Sequence, residues 1–245
     1  MKEQNDMIQT LLNHSSVRNF TEQKIDETTK QTILTCAQMA PTSSYLQAYS
    51  IIEVTDIEKR NALSEISGGQ EWVTKAPLAL VFCADLHRSE TLLEVSDEAV
   101  FENTELYTVA VVDASLAAQK ALIAAQSMGL GGITVGGIRN DMPRLAALFN
   151  LPDKVVPLFV LCIGYPAEPA VQKPRLPQSF VVGKDSYPDE SMSIATYNQT
   201  VSDFFYHLTN GVDQYNWVER CSHAINQKPR YEVTDFVKKA GLLLK

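Results

Sequence analysis

Two kinds of hydrophobic pattern occur along the chain. Apolar residues spaced three and four positions apart predict helices, and short continuous apolar runs predict buried strands. Spacings of three and four residues predict helices over residues 7–12, 26–39 and 56–67. Asp26 and Asp56 stand at the positions where the capping residues of the second and third helices belong. Three helices are therefore predicted before residue 68, with a polar stretch over residues 13–19 after the first of them.

Short apolar runs, rich in β-branched residues, are typical of buried strands. They occur at four places, residues 50–54, 78–84, 131–135 and 157–163. A short helix is predicted near residues 143–149, and the proline-rich stretch 165–177 is predicted to be extended. From Ser191 onward the pattern is helical, without a strand-like run. Helices and strands in one layered α/β core are therefore expected.

One predicted helix, Thr108–Met128, is apolar at nearly all its positions. A helix of this kind is buried on most of its faces, either in a core or against another subunit. Its many alanines would let a second helix approach closely. The acidic stretch Ser89–Glu105 before it is predicted to be an excursion that is helical only near its end.

Composition places the chain among ordinary globular proteins, because 45% of its 245 residues are hydrophobic and 20% are charged. The net charge of −8 and the absence of a basic run argue against nucleic-acid binding. The apolar runs around residues 77–84 and 155–164 are shorter than the roughly 20 residues that a membrane helix needs. The N-terminus has no apolar signal core, so we expect a cytoplasmic protein without membrane contact.

Common catalytic motifs do not occur in this sequence. The four cysteines have no paired spacing and are expected to be reduced thiols. The histidines show no metal-binding spacing, and there is no G-x-S-x-G elbow. The glycine-rich stretch 129–134 lacks the last glycine of G-x-G-x-x-G, and Gly183-Lys184 lacks the upstream glycine of a P-loop. Metal-dependent hydrolysis and these nucleotide-binding motifs are therefore not indicated.

Three short clusters remain as candidate ligand sites. They are His14-Ser15-Ser16-Val17-Arg18, Gly136-Gly137 and Lys173-Pro174-Arg175. Two of them carry cations, and glycines allow backbone to approach a flat ligand. Each cluster alone is also typical of a solvated loop. Two cationic clusters in an acidic protein together predict a phosphate site.

Around these clusters the sequence resembles the FMN-dependent nitroreductase family, in the branch of NADPH-dependent oxygen-insensitive nitroreductases and flavin reductases. The matching stretches occur in family order over nearly the whole chain. They are residues 14–20, 41–47, 68–70, 81–85, 129–140, 157–159 and 173–177. The ordered set is much more specific than any one of its motifs.

The resemblance implies an α+β fold in which a mixed sheet is sandwiched by helices. It implies a single domain over residues 1–245, with residues 186–245 a C-terminal extension that wraps the partner subunit of a homodimer. Burial in such a dimer would explain the unusually apolar helix 108–128. FMN is implied to bind tightly at the subunit interface, with NADPH or NADH as co-substrate.

The resemblance also implies roles for individual residues. His14, Ser16, Lys173 and Arg175 are implied to contact the FMN phosphate, and Arg18 the pyrimidine edge, where reduction places negative charge. Thr42, with Ser43 and Ser44, is implied to bind the ribityl chain or the pyrimidine. Thr134, Val135, Gly136 and Gly137 would run along the ring, although Val135 and Gly136 are also consistent with plain buried strand. The remaining implied cofactor-binding residues are Ser15, Val17, Gln70, Glu71, Trp72 and Pro174.

Two departures from the family pattern affect these expectations. Many relatives have arginine at the position of Ser15, so one contact would be weaker here. The loop Thr209–Trp217 lacks the basic residues that relatives carry before the tryptophan. Weak discrimination between NADPH and NADH is therefore expected, unless Arg220 or another basic residue of the tail binds the 2′-phosphate.

The expected function is two-step reduction of a nitroaromatic, quinone or flavin by NAD(P)H through FMN, with no side-chain acid or base required. Two alternatives remain open. The protein could release reduced FMN to a partner enzyme, using the same site. It could also be a flavin-binding protein without activity, which Arg18 and the Gly136-Gly137 pair disfavour.

Overall fold

The computed structural model describes residues 5–188 and 193–245, and its strands form one sheet in the order β1-β2-β4-β3. The strands are β1 (Tyr49–Glu53), β2 (Leu78–Asp85), β3 (Gly131–Val135) and β4 (Val155–Gly164). Each lies within two residues of its predicted bounds. All three strand pairings are antiparallel, and an isolated bridge between Ser16 and Gly132 adds a parallel contact. The predicted α+β class is confirmed.

Helices account for most of the remaining regular structure. Those of the described residues are α1 (Asp6–Leu12), α2 (Glu27–Gln38), α3 (Ile57–Ile66), α4 (Trp72–Lys75), α5 (His87–Leu92), α6 (Thr104–Ser127), α7 (Met142–Phe149), α8 (Ala195–Leu208), α9 (Trp217–Gln227) and α10 (Glu232–Lys239). Asp26 and Asp56 cap α2 and α3 as predicted, because their carboxylates accept backbone N–H groups of the first turn.

Helices cover both faces of the sheet. Alternate residues of β2 point to opposite faces, so that Leu80 and Phe82 pack under α2, α6 and α10. Val81 and Cys83 pack on the other side, against α3, α4 and α7. All eight residues of β2 are buried, which explains why its sequence is an uninterrupted apolar run. The predicted helix–sheet–helix sandwich is confirmed.

Helix α6 begins before the predicted Thr108 because Asn103 caps it, with Oδ1 accepting the N–H of Leu106 at 2.8 Å. A stripe of alanines on α6 is buried against α2 and the sheet. Val112 and Leu116, in contrast, are 48% and 38% exposed. The single chain therefore buries one stripe of α6 and leaves apolar side chains outside, so burial of the other faces against a second subunit stays a prediction.

Only two short apolar runs were considered as possible membrane helices in the sequence, but α6 is longer than either of them. By length and composition alone, its 24 residues would be enough to cross a membrane. Of its most apolar 18-residue window, 44% is buried inside the protein. The buried stripe includes a charged residue, Asp113.

The acidic stretch before α6 is helical earlier than expected. Helix α5 occupies its beginning, and a 3₁₀ turn over Glu98–Glu102 occupies its end. The cause is Leu86, which is fully buried and donates its N–H to the carbonyl of Lys154 at 3.0 Å. Anchoring at Leu86 starts a helical turn that the charge pattern alone does not reveal.

Contacts divide the chain into two compact units. The first comprises the described residues up to 170 together with residues 230–245, and the second comprises residues 171–229. Lys154 holds the returning segment in the first unit, because its N–H and its ammonium donate to the carbonyls of Ala240 and Gly241 at 2.8 and 2.6 Å. Residues 189–192, inside the predicted extension, and residues 1–4 lie outside the described residues. Wrapping of a partner by residues 186–245 stays a prediction.

Candidate functional site

The segment 14–18 follows α1 and is fixed against β3. The N–H of Val17 donates to the carbonyl of Gly132 at 3.1 Å. A Cβ at Gly131 would lie 2.3 Å from Cγ2 of Val17, so only glycine permits this approach. The Val17 side chain is buried, whereas Ser16 and Arg18 on either side are exposed. The segment therefore presents Ser16 and Arg18 outward, and Val17 serves as its anchor in the core.

His14 is oriented by α6. Its Nδ1 lies 3.0 Å from Nε2 of Gln126. An amide nitrogen only donates, so Nδ1 accepts, and the neutral ring then carries its proton on Nε2. His14 therefore presents an N–H donor on the side away from α6. The hydroxyl of Ser16 makes no hydrogen bond within the described part of the chain.

Arg18 and Trp72 lie next to each other. The Arg18 Cζ is 5.7 Å from the centre of the Trp72 ring. Among the described residues no carboxylate pairs with Arg18. Indole Nε1 of Trp72 is buried and has no hydrogen-bond partner in that same set. A buried donor without an acceptor costs free energy, so this pair of donors fits a ligand that brings carbonyl oxygens.

Both glycines of the pair that follows β3 lie close to other groups of the protein. A Cβ at Gly137 would lie 2.7 Å from Nε2 of Gln70 and 2.9 Å from the carbonyl oxygen of Ser67. A Cβ at Gly136 would lie 2.9 Å from Nη2 of Arg139. The resemblance assigns both glycines to a contact with the flavin ring. At Gly137 the backbone of Ser67 requires a glycine without any ligand, whereas at Gly136 the neighbouring atoms are the movable end of the Arg139 side chain. Gln70 is also tied to the Ser67 carbonyl, at 2.8 Å.

Arg139 is a residue that the sequence analysis missed. Its guanidinium lies against Gly136 and donates to the carbonyl of Leu158, where the register of β2 and β4 shifts. Burial lowers the pKa of Arg139, and the nearby charge of Arg230 lowers it further. Arg230 in turn donates from Nε to Oδ1 of Asn140 at 2.8 Å. The only available signal was an arginine two positions after a glycine pair.

Some predicted cofactor residues have other neighbours. Glu71 forms an exposed ion pair with Lys75 at 2.5 Å, and this pair lowers the pKa of Glu71. Val135 is buried in the sheet, consistent with the plain-strand alternative. Thr134, between two buried residues of β3, is exposed. On β3, therefore, Thr134 is the residue whose side chain is available to a ligand.

The loop of residues 42–48 is fixed by α6. The N–H groups of Ser43 and Ala48 donate to the two carboxylate oxygens of Asp113, at 3.2 and 3.0 Å. Ser43 and Ser44 are exposed, and Thr42 is half-buried. Their hydroxyls make no hydrogen bond within the described residues. Asp113 was not among the predicted residues, although it is the only acidic residue on an otherwise alanine-rich stripe.

Three groups of predicted cofactor-binding residues adjoin one another in the first unit. They are residues 14–18, residues 70–72 and residues 134–137. Residues 14–18 contact β3, Arg18 contacts Trp72, and Gln70 contacts Gly137. The loop 42–48 is anchored at a different place. Its anchor Asp113 precedes Gln126, which holds His14, by 13 positions on α6, or about 20 Å along the helix axis.

The second cationic cluster, Lys173-Pro174-Arg175, lies in the second unit. The carbonyl of Pro174 accepts the hydroxyl of Tyr197 at 3.2 Å, which fixes the segment between its two cations. Lys173 Nζ lies 5.6 Å from the Phe205 ring centre, and Arg175 is exposed. Burial raises the pKa of Tyr197, and the charge of Arg175 opposes that rise. Lys173 and Arg175 are therefore held close together on an ordered segment.

Arg220 is engaged within the same unit. Its guanidinium lies 3.4 Å from the Phe205 ring centre, and its Nη2 pairs with Oδ1 of Asp213 at 2.5 Å. Nε donates to the carbonyl of Tyr215 at 2.9 Å. The contact with Arg220 lowers the pKa of Asp213. The arginine that could replace the missing loop cations is thus bound to the loop's own acidic residue.

Comparison with known families gives two matches. Residues 11–165 match the Nitroreductase family, and residues 173–245 match the Nitroreductase family C-terminal domain. Among curated proteins, the FMN reductase (NADPH) of Bacillus subtilis is 43% identical over 97% of this chain and 98% of the relative. The oxygen-insensitive NADPH nitroreductase of Salmonella typhimurium is 34% identical over 96% of this chain and 97% of the relative.

Solved structures give the same picture. A nitroreductase from B. subtilis superposes with a TM-score of 0.92 at 40% identity, covering 98% of this chain and 100% of that one. The NADPH:FMN oxidoreductase from Vibrio harveyi, solved with NAD⁺, superposes with a TM-score of 0.88 at 33% identity, covering 98% of this chain and 100% of that one. The likeness therefore includes both compact units.

Proposed function

The chain belongs to the nitroreductase family, and from this premise we propose that it is an FMN-dependent NAD(P)H oxidoreductase acting on nitroaromatics, quinones or flavins. The observation that carries the proposal is the pair of adjacent donors at Arg18 and Trp72, neither of which has an acceptor among the described residues. A buried indole N–H without an acceptor, beside a cation without a carboxylate, suits the carbonyl-bearing pyrimidine of a flavin. We also propose a cytoplasmic location.

The residues present fit FMN by their chemistry. When bound, FMN supplies the redox chemistry, taking a hydride from NAD(P)H and passing it to the acceptor. His14 donates from Nε2 and Ser16 from its hydroxyl toward the phosphate. By family resemblance, Lys173 and Arg175 supply the charges that balance it. Arg18 stabilises negative charge at the pyrimidine edge, and Thr134 lies along the ring.

The first test is dependence on FMN. Protein freed of FMN should be colourless and inactive with NADPH and a quinone, and adding FMN should restore both absorption and turnover. The matched control is riboflavin, which has the same ring but lacks the phosphate, and should restore activity only at much higher concentration. Full activity of FMN-free protein would contradict the proposal.

We further propose that the protein is a homodimer whose two sites each use both chains. The supporting distance is along α6, where the anchors of segment 14–18 and of loop 42–48 are about 20 Å apart. On the same helix Leu116 lies between the two anchors and Val112 directly precedes the first of them, and both side chains are exposed apolar surface for a second chain. The loop of one subunit would then complete the site that contains Arg18 of the other.

Mixed dimers test this arrangement. One subunit carries Arg18→Ala, and the other carries Thr42→Ala with Ser43→Ala, so that each parent homodimer has two damaged sites. If the loop acts across the interface, one site of the mixed dimer is intact, and about half of the wild-type activity should return. Mixed dimers as inactive as their parents would place the loop and Arg18 in the same subunit's site.

Release of reduced FMN to a partner is the second candidate function, favoured by the relative from B. subtilis that is named FMN reductase (NADPH). The same site serves both functions, so turnover has to separate them. Free FMN and nitrofurazone are compared as acceptors under one set of conditions. A protein that reduces nitrofurazone or a quinone far better than free FMN is a nitroreductase in practice. A protein that binds FMN and reduces neither would support the non-enzymatic alternative.

Discrimination between NADPH and NADH is expected to be weak. The loop 209–217 has no basic residue, and Arg220 is paired with Asp213. The measurement is the ratio of kcat/KM for the two cofactors in wild-type protein and in Asp213→Asn. We expect a higher NADPH preference in the variant, because Arg220 loses its carboxylate partner. A wild-type preference for NADPH of about 100-fold or more would show that another cation binds the 2′-phosphate.

A further inference from the structure

We propose that Asp113 is a positioning residue that holds the loop 42–48 in the conformation that binds FMN, an inference that rests on the proposed function. Asp113 lies on α6 and is 1% exposed. Its two carboxylate oxygens accept the N–H groups of Ser43 and Ala48, which stand near the two ends of the loop. One side chain therefore closes the loop at both ends.

The loop needs such a closure because its backbone is strained. Ser44, Tyr45 and Gln47 have φ values of 49°, 60° and 53°, in the left-handed region that non-glycine residues seldom adopt. Strained conformations persist where surrounding contacts determine them, and they concentrate at ligand sites. Inside the loop, the N–H of Leu46 donates to the carbonyl of Ser43 at 2.9 Å. The two bonds to Asp113 tie this turn to a rigid helix.

Packing does not require a carboxylate at position 113. The neighbouring positions of the stripe, Ala110, Ala114 and Ala117, are fully buried alanines. An aspartate among them loses its hydration on folding, and its hydrogen bonds to backbone N–H groups offset that cost. The carboxylate therefore stabilises the loop, because its hydrogen bonds among the described residues are to loop N–H groups and not to the helix.

By holding the loop, Asp113 would order it before FMN binds. The hydroxyls of Thr42, Ser43 and Ser44 have no partners among the described residues, so their positions follow the loop backbone. A loop that is already ordered loses less conformational entropy when a ligand binds. Asp113 itself does not contact FMN in this arrangement. Its removal should weaken FMN binding without changing the chemistry of loaded sites.

The experiment measures FMN affinity of the full-length protein by flavin fluorescence, together with kcat at saturating FMN. Asp113→Asn keeps the shape but replaces one acceptor oxygen and removes the charge. We expect FMN affinity to fall roughly tenfold to hundredfold, with kcat restored when enough FMN is added. Asn103→Ala is the matched control, because it removes the cap of the same helix without touching the loop.

A second pair of variants decides the matter if Asp113→Asn does not fold. Ser43→Pro removes the N–H that donates to Asp113, whereas Ser43→Ala keeps it, and both lose the hydroxyl. Proline suits the first position of the short 3₁₀ helix, and Thr42 already has the extended backbone that precedes proline, with φ −132° and ψ 146°. We expect Ser43→Pro to bind FMN several-fold more weakly than Ser43→Ala.

The outcomes are distinct. If wild-type protein does not bind FMN, the proposed function is wrong. If wild-type and Asn103→Ala bind FMN alike, and Asp113→Asn or Ser43→Pro lowers the affinity as stated, the positioning role is supported. If Asp113→Asn lowers the melting temperature as Asn103→Ala does but binds FMN with wild-type affinity, Asp113 is merely structural. Equal affinities of Ser43→Pro and Ser43→Ala likewise overturn the inference.

Discussion

Protein in which both Lys173 and Arg175 are replaced by alanine is expected to purify with little or no FMN. Each charge-assisted contact to a phosphate contributes about 1.5–3 kcal/mol, so losing both should weaken FMN binding about 100-fold or more. The two side chains lie on a segment held by the hydrogen bond from Tyr197 to the Pro174 carbonyl. That bond uses backbone and remains in the variant, so the segment should keep its course.

The control variant carries Lys238→Ala and Lys239→Ala, two exposed changes on α10 that alter the net charge equally. Both proteins are titrated with FMN at low and high salt. A general charge effect would weaken both proteins alike and disappear in high salt, whereas a phosphate contact is specific to the first. If the Lys173/Arg175 variant purifies yellow and fully loaded, these two cations do not hold the phosphate.

The fold was largely predictable because the strands are buried on both faces. Such strands read as continuous apolar runs, and β2 and β4 were found almost to the residue. Caps at Asp26 and Asp56 gave the starts of two helices. The missed helix α5 depends in part on a tertiary contact, since Leu86 docks in the core directly before it, while Asp85 accepts the N–H of Arg88 in its first turn. Local sequence patterns therefore predict the helices and strands, but they do not predict the long-range contacts that hold them in place.

The exposed strip of α6 shows another limit of sequence analysis. A hydrophobic pattern shows that a helix is apolar, but it does not distinguish the core of one chain from an interface with another. The structure separates them, because the alanine stripe with Asp113 is buried while Val112 and Leu116 are exposed. The sequence left open whether the helix is buried in a core or against another subunit, and the interface is now proposed for its outer face alone.

Most of the candidate site was accessible only through family resemblance. Composition and spacing gave two cationic clusters and a glycine pair, and nothing more specific than a phosphate ligand. The glycines at 136 and 137 make room for Arg139 and Gln70, contacts distant enough in sequence to escape any motif. Asp113 and Gln126 were missed for the same reason, because they act on residues 42–48 and 14 through long-range hydrogen bonds.

Reduction of the bound flavin by NADPH is expected to be about 100-fold slower in Arg18→Ala than in the wild type. The Arg18 guanidinium has no carboxylate partner among the described residues, and it lies 5.7 Å from the Trp72 ring centre, so its charge is available to a ligand. Removing one group that stabilises developing negative charge in an active site typically costs about 10²–10³ in rate. The measurement is the loss of flavin absorbance after rapid mixing of FMN-loaded protein with NADPH.

Two matched variants separate charge from binding. Arg18→Lys keeps the positive charge but loses the planar guanidinium, and it should recover much of the rate. Trp72→Phe keeps the aromatic ring under Arg18 but removes the buried indole donor, and it should weaken FMN binding more than it slows reduction. Because each rate is measured on FMN-loaded protein, weaker binding does not lower it. An Arg18→Ala rate within about threefold of the wild type would show that the charge at the pyrimidine edge comes from another residue. Arg139, whose guanidinium lies beside Gly136 and donates to the Leu158 carbonyl, would then be the next to replace.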